Sequence, residues 1–252
     1  MRCRHCRGTF VIAWSDELWR SFEVVVGDPT PPGDVLARAR AAAVEALQSA
    51  FRLGTPGDDR VFKRSFSALC LSLIAAADLS ESFLEPAEFH AFFDRMLDYF
   101  QRERDLRGFD PVHGWMHTVA HTSDALKFLS RNPKFAAGSD VRLLAAIRAK
   151  LESHDAVFAW GENDRVALAL HSAVRRPDAD ASALTAWTKY WVTAHRNLWA
   201  KGPQVDPRRF ATVENATQVM RSLLAALSME TAPTPAGDAA RQTLIGALAR
   251  MR

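Results

Sequence analysis

Between Pro86 and Phe100 the residues Phe89, Phe92, Phe93, Met96, Leu97 and Phe100 fall at the spacing i, i+3, i+4, i+7, i+8, i+11, with charges between them. That period lines one face of an α-helix and cannot line one face of a strand. It returns down the chain, and it limits the fold more than any other feature. Asp34 can cap a helix over Val35–Phe51, and a second covers Val61–Ala77 through Phe62, Phe66, Leu69, Leu73 and Ala76. Pro86 opens the third. The stretch "GWMHTVAHTSDALKFL" from Gly114 supplies a fourth, and Ser139 can cap a fifth over Asp140–Glu152. "GEND" opens a sixth that ends before Pro177, and "SALTAWTKYWVTAHRNLW" forms a seventh. Asp206-Pro207 starts an eighth, and "AARQTLIGALARM" a ninth, which is expected to pack loosely.

Nine helical segments with short connections and no sustained two-residue alternation predict an all-α protein. Helix pairs recur every 40–50 residues or so, as in antiparallel hairpins stacked in a HEAT-like, α-α superhelical arrangement. The expected organisation is an irregular segment over 1–33 with room for a short strand, one helical domain over 34–230, and a flexible joint with a C-terminal helix over 231–252. A chain of 252 residues, 48% hydrophobic, can bury a full core.

The net charge of +3 is mixed along the chain, so no nucleic-acid partner is expected. No run approaches the roughly 20 apolar residues that span a bilayer, so no membrane is expected either. As written, the chain is expected to be cytoplasmic. Three cysteines are too few for a disulfide framework: Cys3 and Cys6 flank His5 as half of a zinc knuckle, and Cys70 sits in an apolar run.

His117, His121 and Asp124 stand at i, i+4 and i+7, and on a continuous helix they share a face. Two histidines at i, i+4 can reach one divalent metal, so His117 and His121 are the candidate ligands. The Glu that a zinc peptidase needs after its first His is Thr118 here. The line from His117 to Asp124 is about 10 Å long, so further ligands must come from elsewhere. Asp105, His113, His154, Asp155 and His171 are the candidates. The same residues also suit a buried polar seam or a metal-free acid/base pair. The preceding loop, "RERDLRGFDPVHG", carries Asp105 and Arg107. Arg107 beside a helix N-terminus favours an anion, and a pair between Asp105 and Arg107 would instead fix the loop. A second loop, "VFAWGENDRV", offers Glu162 and Arg165. Trp187, Trp191, His195 and Trp199 step by four along one helix, as core or as a partner surface.

The blocks "GDDRVFKRSFSALCLSLI", "FLEPAEFHAFFDRMLDYFQRERDLRGF", "GWMHTVAHTSDALKFL" and "WGENDRVALAL" resemble a bacterial family catalogued as domain of unknown function 2785. The resemblance runs over about 43–229. It implies an all-helical domain without an assigned activity. Its pattern falls on Phe62, Arg64, Ser65 and Phe66, on Asp105, Arg107 and Gly108, and on Gly114, Trp115, His117, Ala120, His121 and Asp124. It also falls on Glu162 and Arg165, and Met116 departs from it. Some relatives look exported, which implies a periplasmic protein if the natural start lies upstream.

The expected function is to bind a small-molecule, peptide or protein ligand in a polar groove. Its walls would be Asp105, Arg107, Trp115, His117, His121, Asp124, Glu162 and Arg165. The alternative is a metal-assisted hydrolase or hydroxylase in which an ion on His117 and His121 activates water.

Overall fold

The computed structural model describes Gly57 and residues 59–200 and 202–251. The segment 1–33, the helix expected over Val35–Phe51 and the Cys3/His5/Cys6 cluster lie outside the described residues. Within them are α1 (Arg60–Glu81), α2 (Pro86–Arg102), β1 (Phe109–Asp110), β2 (Gly114–Trp115) and α3 (Thr118–Arg131). There follow α4 (Ser139–Glu152), α5 (Glu162–Val174), α6 (Ala181–Trp199), α7 (Pro207–Ser228) and α8 (Pro235–Ala249). The protein is all-α, with one two-stranded hairpin among the described residues. Contacts gather it into two compact units, residues 1–134 and 135–252.

In the first unit the aromatic stripe of α2 is the core, as its period requires. Phe89, Phe92, Phe93, Met96, Leu97 and Phe100 are all buried. The most extensive helix contact skips α2 and joins α1 to α3. These two run parallel: Ser65, early in α1, meets His121, early in α3, while Asp78, late in α1, meets Asn132 just past α3. α2 carries the chain back between them, so neighbours in sequence are antiparallel and alternate helices are parallel.

Asp78 closes the far end. It is 1% exposed, and its carboxylate accepts from the Leu84 backbone N–H at 2.7 Å, from Asn132 Nδ2 at 2.7 Å and from Lys134 Nζ at 3.0 Å. A buried carboxylate needs that many donors.

The second unit repeats the parallel pairing. Asp164 of α5 accepts from Ser222 of α7 at 2.6 Å, and further along His171 meets Glu230 at 2.5 Å. α8 starts at Pro235 behind the Thr234 cap, within the stretch read as a joint. It is not loosely held: Leu244 and Ala247 are fully buried where α8 meets α6 and α7.

Two boundaries differ from expectation for a backbone reason. Gly138 (φ +81°), not Ser139, is the N-cap of α4, because only glycine takes a left-handed turn there without strain. The fourth helix begins at Thr118 rather than Gly114, because Gly114 and Trp115 pair with Asp110 and Phe109.

Asp78→Ala strands two buried donors and the half-buried Lys134 ammonium, and should cost about 3 kcal/mol by urea unfolding. A loss under about 1 kcal/mol would mean that the Asp78 cluster does not hold α1 to α3.

Candidate functional site

The site is built from a charge buried in α1. Arg64 is fully buried, and its partner is Glu103, 2% exposed and just past the end of α2. Arg64 Nη2 donates to Glu103 Oε1 at 3.1 Å, and Nε donates to Oε2. Glu103 Oε1 also accepts the Asp105 backbone N–H at 2.9 Å, which pins the start of the loop. The buried Tyr99 phenol is held protonated by burial first and by the Glu103 charge second.

Asp105, 1% exposed, anchors the loop a second time. Its carboxylate takes Arg107 Nε at 2.8 Å and Nη2 at 2.7 Å, and the Gly57 N–H at 2.9 Å. Its carbonyl accepts from Thr118 Oγ1 at 2.7 Å. So the loop-fixing pair is what forms, rather than an unpaired arginine at the α3 N-terminus. Asp110 turns the hairpin by accepting the N–H groups of Val112 and His113, which holds its carboxyl below the usual range.

His117 is not on the helix. It is the N-cap of α3 with φ +51°, so His117, His121 and Asp124 do not share a helical face. The two histidines are neighbours by another route. Trp115 stacks flat on His117, with centroids 4.4 Å apart and planes 3° apart. His117 lies 5.6 Å from His121, and His121 lies edge-on to Phe66 at 5.2 Å. Phe109 extends the series at 4.8 Å from Trp115. Asp124 pairs with Lys127 at 3.2 Å.

Ser65 Oγ donates to the Met116 carbonyl. Its lone pairs then accept from His121 Nδ1 at 2.9 Å, and that nitrogen also lies 3.2 Å from the Ser65 carbonyl. A nitrogen facing two acceptors carries the proton, which puts the His121 lone pair on Nε2. Ser65 is no nucleophile, because it is fully buried and its proton points at a carbonyl.

Among the described residues, no three His, Cys, Asp or Glu side chains converge where one ion could be held. Asp105 is bound to Arg107, and His113 lies 3.0 Å from Asp110. His154, Asp155 and His171 belong to the second unit. There His171 faces Glu230, which Arg175 also reaches at 3.2 Å.

Glu162 and Arg165 are likewise in the second unit. Glu162, 2% exposed, accepts the Trp160 N–H at 2.8 Å and so closes the turn into α5. Trp187 and Trp191 are core, while Trp199 is half exposed. Sequence reasoning missed Glu103, which holds the start of the loop. The available signal was Arg64, a cation one helical turn from Ala68 and in line with Leu71 and Ala75: these are the buried face of α1, whereas Phe62, Leu69, Leu73 and Ala76 of the expected stripe are only half-buried.

Burial raises the Glu162 carboxyl above its ordinary 4.5. The folded state therefore holds more protons than the unfolded state just above that value. This contribution to stability is full below the unfolded pKa and is lost as pH rises through the folded one. Glu162→Gln keeps the acceptor for Trp160. It should melt higher than the parent at about pH 7 and level with it at about pH 4. A variant that melts lower at pH 7 would show that the charged form is the stabilising one.

The sequence model of the family described as "Protein of unknown function (DUF2785)" matches residues 50–225, which takes in α1 to most of α7. No curated protein and no solved structure gives a significant match. The match spans the buried Arg64–Glu103 pair, the pinned loop and both histidines, and on that span the chain belongs to the DUF2785 family.

Proposed function

We propose that the protein binds a ligand or partner through the ring surface of the first unit, and that its helix pairs form a HEAT-like support. One observation carries this reading: among the described residues, the four carboxylates of Glu103, Asp105, Asp110 and Asp124 are each committed to a protein donor. Glu103 serves Arg64, Asp105 serves Arg107 and Gly57, Asp110 serves its own hairpin and Asp124 serves Lys127. A hydrolase needs a carboxylate or a third ligand turned toward the reacting water. Trp115, His117 and His121 are each half-buried, as is Arg107, whose guanidinium Asp105 fixes. Planar groups held in place by acids behind them suit recognition by stacking and by hydrogen bonds.

The metal-assisted hydrolase or hydroxylase stays as the second reading on one specific observation. The His121 tautomer places a lone pair on Nε2, with His117 5.6 Å away between ring centres.

A thermal-shift screen of metabolites and peptides separates the two, with Trp115→Ala and the His117→Ala/His121→Ala pair beside the parent. A ligand at a hundred times its dissociation constant stabilises by about 2.7 kcal/mol, or roughly 5 °C or more at this size. The binding reading expects such a shift in the parent, lost in Trp115→Ala. Near-stoichiometric zinc, iron or manganese in the purified parent, lost in the histidine variant, would overturn it in favour of the enzyme.

A further inference from the structure

A cleft of about 540 Å³ opens within the second unit, between the end of α4, the C-terminal half of α6 and the first turns of α7. That volume is in the roughly 300–1,000 Å³ range of small-molecule sites. Tyr190, Trp191 and Leu198 of α6 line it, with Val213 and Arg209 of α7 and His154 just beyond α4. This site is separate from the ring surface and does not depend on that reading.

Three observations define what would fit. First, the apolar wall is large and planar: Trp191 is fully buried, with Tyr190 edge-on to it at 5.0 Å, and Leu198 and Val213 are buried beside it. Second, the indole N–H of Trp191 is buried and has no hydrogen-bond partner. An acceptor that reached this N–H would satisfy it.

Third, the pairing at the cleft leaves one cation over. Glu152 is spent on Arg148 at 3.1 Å and on the Tyr190 hydroxyl, while Asp155 faces Arg208 at 3.8 Å. Arg209 has no ionic partner among the described residues, and it sits in the first turn of α7. A helix N-terminus adds partial positive charge there. Asp206 caps that helix by accepting from the Arg208 N–H, and it is not among the residues that line the cleft. His154 stacks on Phe158 at 4.7 Å, and burial keeps its imidazole neutral near pH 7.

We propose that this cleft binds a small amphipathic organic anion. Its planar apolar body lies against Trp191, Leu198 and Val213, and its acidic group, a carboxylate or a phosphate, is held by Arg209 at the start of α7.

The test uses the full chain and 8-anilinonaphthalene-1-sulfonate as a probe with that shape and charge. N-phenyl-1-naphthylamine, the same body without the acid, is the control. Arg209→Gln alters an exposed side chain, and Ala194→Phe narrows the cleft from α6. The proposal expects one sulfonate probe per folded chain. Arg209→Gln should weaken it about three- to tenfold, the range of a partly screened charged hydrogen bond, and leave the neutral probe unchanged. Ala194→Phe should weaken both probes. Displacement by phenyl phosphate, by phenylacetate or by both then identifies the acidic group. The proposal is overturned if the folded protein does not bind the probe, or if Arg209→Gln binds it as the parent does. It is also overturned if Ala194→Phe has no effect on either probe, or if neither competitor displaces the sulfonate.

Discussion

A charge removed from water must find its opposite, and the organisation of the first unit follows from where Arg64 finds one. Arg64 lies on the inner side of α1 at 0% exposure, and its acid, Glu103, comes from the other end of α2. The desolvation of both ions is offset only by good geometry and by further hydrogen bonds, which makes such a pair weak evidence for stability and better evidence for a fixed position. Here Arg64 Nη1 remains buried without a partner, so the compensation is incomplete. What the pair does is fix the chain path. Glu103 holds the Asp105 amide, Asp105 holds Arg107, and the Asp105 carbonyl holds the first residue of α3. Trp115 and the histidines are presented at the end of that sequence of contacts.

The chemistry of the surface follows from that internal use of charge. Glu103, Asp105, Asp110 and Asp124 are each spent on protein donors, and the rings of Trp115, His117 and His121 are half-buried. The second unit has a different balance. Among the described residues, Arg209 at its cleft has no ionic partner and the buried indole N–H of Trp191 has no acceptor.

The helices were legible because their signal is periodic and long. The α2 stripe identified its buried face residue by residue, and Asp206-Pro207 marked the start of α7. The histidine segment was misread because its geometry is not periodic. Two-residue strands leave no alternation to see, and a left-handed His117 has no sequence mark of the kind a glycine gives. The Asp105–Arg107 pair was one of two readings in the loop, and two-residue proximity was enough to suggest it. The Arg64–Glu103 pair spans 39 positions, a distance at which sequence carries a requirement for a partner but not its identity. The cleft was invisible for a related reason. Trp191 showed that α6 buries a face, yet the space beside it arises from how three helices diverge.

The most direct test of the account is a double-mutant cycle on Arg64 and Glu103, read by urea unfolding and by amide exchange at Met116 and His117. Those two amides donate to the Gly108 carbonyl in the pinned loop. Arg64→Met and Glu103→Met should each cost about 3–5 kcal/mol, because each leaves a buried charge alone, and the pair together should cost clearly less than their sum. In both single variants the Met116 and His117 amides should lose protection while the core of α2 keeps it. Additive costs, or loop amides that stay protected when the pair is broken, would contradict the claim that this buried charge organises the site.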